Sequence, residues 1–218
     1  MRSRLDAQLA EMSEELIQMG AMTERAIASG VTALVEGDRE MAKKAILLEE
    51  EIDDKEAHIE QLCLKLLMQQ QPVAKDLRLI SAVLKMITDL ERIGDQAADI
   101  SEITLTMDIP GKKQLPAIKD MAKATIKMVT DSIDAFIKSD LALAEEVVAY
   151  DDVVDDFFLQ LRGELIERIR TEPNQGEAVV DLLMAVKYLE RIGDHATNVA
   201  EWVIFSITGF HADKKNDA

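Results

Sequence analysis

The sequence predicts an all-α fold made of two related halves, on three observations. The composition is dominated by Ala, Leu, Ile, Met, Glu and Lys, with only four prolines, nine glycines and 4% aromatic residues, which favours long helices over sheets. Apolar residues recur at three- and four-residue intervals over long stretches, as one face of a helix requires. The octet LERIGDQA at Leu90 to Ala97 returns as LERIGDHA at Leu189 to Ala196, which points to an internal duplication. With 218 residues, 48% of them hydrophobic, the chain has enough apolar material for one or two domains with a buried core.

The first helix carries its stripe on Leu5, Leu9, Met12, Leu16, Met19, Thr23 and Ala26, and Gly37 and Asp38 end it. Asp38 is a good N-cap for a second helix that runs to about Gln70. Pro72 punctuates, and a third helix is expected from near Asp76 to about Met107. DIPGKKQLP, Asp108 to Pro116, has the Pro and Gly content of a linker. Ile118, Met121, Thr125, Met128 and Ser132 mark a fourth helix. Asp140 caps a fifth, and the loop TEPNQG at Thr171 to Gly176 precedes a sixth.

The two halves superpose by eye. ALVEGD at Ala33 to Asp38 matches AFIKSD at Ala135 to Asp140, and LKMITDLERIGDQAADISE at Leu84 to Glu102 matches LMAVKYLERIGDHATNVAE at Leu183 to Glu201. Each half then reads as a three-helix antiparallel bundle. The expected domains are 1–108 and 117–210, with a linker at 109–116 and a frayed tail at 211–218.

The formal charge of −17, from 42 acids against 25 bases, argues against nucleic acid as a ligand, because phosphate neutralisation needs clustered Lys and Arg. The same surplus repels a bare anionic bilayer, and no apolar run approaches the roughly 20 residues of a spanning helix. The amino terminus is charged and amphipathic, without an apolar signal core. A single cysteine, Cys63, suits a reducing compartment. These features together lead to the expectation of a soluble cytoplasmic protein.

The acids then fall on an unexpected face. On a wheel of about 100° per residue centred on Ile80, Leu77, Leu84, Ile87 and Ala98 lie within about 60°, while Glu91 falls at about 20° and Asp95 at about 60°. Arg92, Lys85 and Arg78 lie on the far side, so Glu91 has no base three or four positions away and Asp95 has only Arg92. In the second helix Glu49, Asp53, Glu56 and Glu60 continue the face of Ala42, Ile46, Cys63 and Leu67. In the fifth, Asp151 and Asp155 share a face with Ala144, Val148, Phe158, Leu165 and Ile169. Four helices thus carry an acidic pair at i, i+4: Glu49 with Asp53, Glu91 with Asp95, Asp151 with Asp155, and Glu190 with Asp194.

Desolvating such pairs costs several kcal/mol per ion unless something positive joins them. A metal is the economical partner, and an oxygen-rich cage suits Mg, Mn, Fe or Ca. One Cys and three His give little support to a thiolate- or imidazole-rich zinc site. Gly94 and Gly193, inside the two pairs, permit a close approach by a neighbour. The alternatives are acids snorkelling along a groove, or salt bridges to bases from other helices. His195 points about 100° from Asp194 and reads as a surface residue. His58, His211 and Cys63 read as structural, and the eleven methionines as core filler.

At LERIGDQA, LERIGDHATNVAE and the segment QPVAKDLRLI at Gln71 to Ile80, the chain resembles the PhoU family of bacterial phosphate-uptake regulators over essentially its whole length. The resemblance implies two three-helix bundles, each able to hold a multinuclear cluster of iron, or of Zn, Mn, Mg or Ca. One cluster would use Glu49, Asp53, Glu91 and Asp95, and the other Asp151, Asp155, Glu190 and Asp194. Asp99, Asn198, Glu102 and Glu201, further along the same helices, are candidate additional ligands. The copies differ where Asp99 stands opposite Asn198, Gln96 opposite His195, and Glu49 opposite Asp151.

The resemblance further implies a cytoplasmic, non-enzymatic negative regulator of phosphate uptake and of the phosphate-starvation response. Its partners would be the ATPase subunit of the phosphate ABC transporter and a sensor histidine kinase, which could hold it at the periphery of the inner membrane. A homodimer is also expected. A di-iron oxidase or ferritin is disfavoured, because the Glu-x-x-His pairs such sites use are missing from this sequence. A metal-independent adaptor, with the acids as a docking surface for basic segments, is the remaining rival.

Overall fold

The computed structural model describes residues 2–70, 72–107 and 116–210. It is all-α: α1 (Arg2–Glu36), α2 (Arg39–Gln70), α3 (Ala74–Thr106), α4 (Pro116–Lys138), α5 (Leu141–Thr171) and α6 (Gly176–Thr208), with a short 3-10 turn at Pro173–Gln175 before α6. The expected linker at 109–116 and tail at 211–218 lie outside the described residues, apart from Pro116. That proline opens α4 instead of ending the linker, as its fixed φ and missing N–H allow in a first helical turn.

The caps fall where the sequence put them. Asp38 Oδ1 accepts from the N–H groups of Glu40 and Met41, both at 3.0 Å, and Asp140 Oδ1 accepts from Leu143 at 3.1 Å. Each turn closes with the same backbone bond, Asp38 N to Ala33 O at 3.0 Å and Asp140 N to Ala135 O at 2.9 Å. The residue before each cap is left-handed: Gly37 at φ 66° and Ser139 at φ 49°. The third helix begins at Ala74, two residues earlier than expected, capped by Val73 without a side-chain bond.

Four helices form a ring in which α1 packs on α3, α3 on α6, α6 on α4 and α4 on α1; α2 lies across α1 and α3, and α5 across α4 and α6. One continuous apolar core runs through both halves. The stripes of α1 and α4 behave as read: Met12, Leu16 and Met19, and Ile118, Met121 and Thr125, are fully buried. The face of α3 is rotated from the expected one. Its buried residues are Ile80, Val83, Met86, Leu90, Ile93 and Ala97 with their neighbours, whereas Leu77 is 43% exposed. Contact with α1, α2 and α6 together broadens and turns the buried arc, so Glu91 and Asp95 sit on its margin, half-buried.

Candidate metal centre

The first site is built where α2 crosses α3. Gly94 sets the approach: a Cβ there would stand 3.1 Å from Ile52 Cδ1 and 3.2 Å from its Cγ2. Ile52 lies between Glu49 and Asp53 in sequence, so seating it against a bare glycine draws both carboxylates toward α3. Glu49, Asp53 and Asp95 each offer a carboxylate oxygen within 4.8 Å of the other two, the one such group among the described residues. Burial, then the neighbouring Asp53 and Asp95, raise the Glu49 pKa; burial and then Asp95 raise that of Asp53.

Glu91 adjoins this group. Its pKa is pushed up to about 7, first by burial and then by Asp95, with Arg92 opposing. Glu91 Oε2 is shut off from solvent and accepts no hydrogen bond; Arg92 Nε stands 3.3 Å away, out of bonding geometry. Arg92 is exposed, on the far side as expected, and its Nη1 reaches Asp95 Oδ2 at 2.9 Å, the i, i+3 pair that the spacing offers. Glu56, further along α2, is bound by the Thr88 hydroxyl at 3.2 Å.

The second site repeats the scaffold, where α5 crosses α6. A Cβ on Gly193 would stand 3.1 Å from Val154 Cγ1 and 3.4 Å from Asp151 Oδ1. The Asp151 pKa rises to about 6 through burial and the charges of Asp194 and Asp155; the Thr197 hydroxyl offsets part of this, although in a position short of full hydrogen-bond geometry. Asp194 is open on one side yet raised by burial of its other side and by Glu190, with Lys187 opposing. Lys187 closes an ion pair on Glu190 and lies 5.3 Å above the Phe158 ring. Asp155 is exposed.

The additional candidates divide. Asp99 is half-buried and raised by burial and by Glu102 and Asp95, with Arg191 of α6 opposing, so it extends the first cluster toward the other half. Glu102 is exposed and Glu201 half-buried. Asn198 donates to Asp89 Oδ1 at 3.0 Å. His195, expected at the surface, is also half-buried, with Nδ1 2.9 Å from the same oxygen. Asp89 was not foreseen, and neither were the Thr88 and Lys187 contacts; aligning the halves at these positions sets Asp89 opposite Tyr188 and Thr88 opposite Lys187. Cys63 is buried with Sγ 3.5 Å from Met12 Sδ, and His58 is exposed.

The fold and its crossings define a duplicated all-α bundle in which α2 against α3 and α5 against α6 each bring acidic side chains to a glycine-seated contact. The chain matches the PhoU domain family over residues 16–104 and again over 118–203. It is 37% identical over 216 residues to the phosphate-specific transport system accessory protein PhoU homolog of Clostridium acetobutylicum, covering 97% of this chain and 98% of that one. It is 36% identical to the homolog of the same description from Synechocystis, over 95% of this chain and 93% of the relative. The crystal structure of PhoU from Pseudomonas aeruginosa superposes with a TM-score of 0.87 at 32% identity, over 94% of this chain and 99% of that one. PhoU from Streptococcus pneumoniae does so at 0.86 and 25%, over 96% and 99%. The chain belongs to the PhoU family.

Proposed function

We propose that this protein is a non-enzymatic, metal-binding negative regulator of phosphate uptake and of the phosphate-starvation response. It would bridge the ATPase subunit of a phosphate ABC transporter and a sensor histidine kinase in the cytoplasm, as a homodimer. The observation that supports this most is the convergence of Glu49, Asp53 and Asp95 oxygens within 4.8 Å, beside a Glu91 oxygen that is buried and unbonded. These hard oxygen donors fit iron, Mn, Mg or Ca. A bound cation would add positive charge beyond that of Arg92 and Lys187, held in the first site by Glu49, Asp53, Glu91 and Asp95 and in the second by Asp151, Asp155, Glu190 and Asp194. By neutralising both helix crossings it would couple metal occupancy to the stability of the bundle and to the surface offered to partners.

The relatives' description as accessory proteins of phosphate-specific transport supports the transporter side. Metal analysis of untagged protein, beside a variant carrying Glu91→Gln, Asp95→Asn, Glu190→Gln and Asp194→Asn, tests the centre: several equivalents in the parent and few in the variant are expected. No metal in either, after loading with iron, manganese or zinc, refutes it. The rival reading, a metal-independent acidic adaptor, draws on the ion pairs that Arg92 and Lys187 make inside the two sites. Partner binding that weakens with salt and ignores chelator would decide for the rival.

A further inference from the structure

The charge is unevenly spread. Cys63 against Met12 fixes the antiparallel register of α1 and α2, so Arg4, eight residues or about 12 Å further along α1, lies beside the end of α2. The Arg78 guanidinium of α3 lies against Gly209, which brings the end of α6 to the start of α3. The α1 start, the α2–α3 turn and the α6 end therefore meet at one end of the bundle.

On the α2–α3 side that end is apolar and cationic. Met68, Val73 and Phe210 are 76%, 70% and 69% exposed, with Leu64 and Leu77 beside them at 45% and 43%. Between 61 and 79 the chain has three bases, Lys65, Lys75 and Arg78, and one acid, Asp76. The corresponding turn of the second half, 163–178, has four acids, Glu164, Glu167, Glu172 and Glu177, and two bases, Arg168 and Arg170. Duplication alone does not produce a cationic tip.

We infer that this end docks on an anionic lipid surface, with Met68, Val73 and Phe210 entering the headgroup layer and Lys65 and Lys75 facing lipid phosphates. Side chains two-thirds exposed or more project from the bundle end instead of lining a cleft, and a projecting apolar group needs a partner that yields around it, as an interfacial lipid layer does. Each Lys or Arg near an anionic leaflet adds to the attraction. Only one of the 42 acids, Asp76, falls within 61–79, and screening over about 8 Å weakens the repulsion from the rest, so the overall charge of −17 orients the molecule rather than repelling it. No helix among the described residues is long and apolar enough to cross a membrane, so the contact is peripheral.

Flotation of the full chain with phosphatidylcholine vesicles, with and without half phosphatidylglycerol, tests this at low and high salt. Binding is expected only to the anionic vesicles, falling at high salt. It should fall at least tenfold in Lys65→Glu/Lys75→Glu and in Met68→Asp/Phe210→Asp, while Val180→Asp at the acidic turn leaves it unchanged. Circular dichroism confirms that each variant is folded. No binding to anionic vesicles at low salt overturns the inference and leaves the tip to an acidic protein segment. Binding that neither double variant weakens also overturns it.

Discussion

With metal removed, this protein should lose stability as the pH rises from about 5 to 8, the reverse of an ordinary acidic protein. The Glu91 carboxyl stands at about 7 in the fold against 4.5 when exposed. The folded state therefore holds a proton that the unfolded chain gives up, and by linkage stability falls as the pH rises. The contribution is fully present below 4.5 and lost through about 7. A shift of that size corresponds to about 3 kcal/mol before screening. Since the side chain keeps 17% of its exposure and Arg92 adjoins it, about 1–2 kcal/mol is the expected effect. For a chain of this length that is about 3–6 °C in Tm. Thermal melts in chelator at pH 5 and pH 8 measure it, and Glu91→Gln should remove most of the difference while raising Tm at pH 8. An equally steep pH dependence in Glu91→Gln would refute the reasoning, because the proton would then sit elsewhere.

Asp151 adds a smaller effect of the same sign between 3.8 and about 6, so Asp151→Asn should flatten chelator-treated melts between pH 4 and 6. Ser139→Gly should stabilise by about 1 kcal/mol in urea denaturation, since it relieves a left-handed residue that the other half fills with Gly37. Gly193→Ala gains helix propensity of about 1 kcal/mol but forces Val154 and Asp151 outward. Its expected signature is unchanged or slightly lower stability with a measurable loss of metal from the second site. Lys187→Thr frees Glu190, and isothermal titration should show at least a tenfold gain in divalent-metal affinity there.

The helices were legible because their ends are written locally: Asp38 and Asp140 cap through their own side chains, and Gly37 marks its turn by composition. The acidic pairs were legible because spacing alone puts Glu49 with Asp53 and Glu91 with Asp95 on common faces. The degree of burial was not. A wheel centred on Ile80 treats one helix with one neighbour, whereas α3 touches three, and Leu77 lies where those neighbours end. The Arg92–Asp95 pair was legible from its i, i+3 spacing; the approach of Arg92 Nε to Glu91 was not, because the wheel locates a Cβ, while a guanidinium travels several ångströms from it. The Asp89 contacts with His195 and Asn198 depend on which faces of α3 and α6 meet, and neither helix's own periodicity contains that.

The two halves kept their scaffold and changed their charge, and the changes are paired. Position 56 is Glu and its counterpart 158 is Phe; position 88 is Thr and its counterpart 187 is Lys. In the first half, Thr88 bonds Glu56. In the second, Lys187 lies over Phe158 and pairs with Glu190. Each swap makes the second crossing one unit less negative, and the two act together because the ring shields the lysine while the lysine answers the glutamate. The glycine contacts are the same in both halves, with Ile52 on Gly94 and Val154 on Gly193, so helix spacing does not distinguish the sites. Each carries a cation from its own helix, Arg92 on Asp95 and Lys187 on Glu190; what distinguishes them is that Glu49, Asp53 and Asp95 converge within 4.8 Å in the first, whereas Asp155 of the second is exposed. Under the proposed function, the second crossing, less negative and with Asp155 exposed, would hold a cation more weakly than the first, where three carboxylates converge.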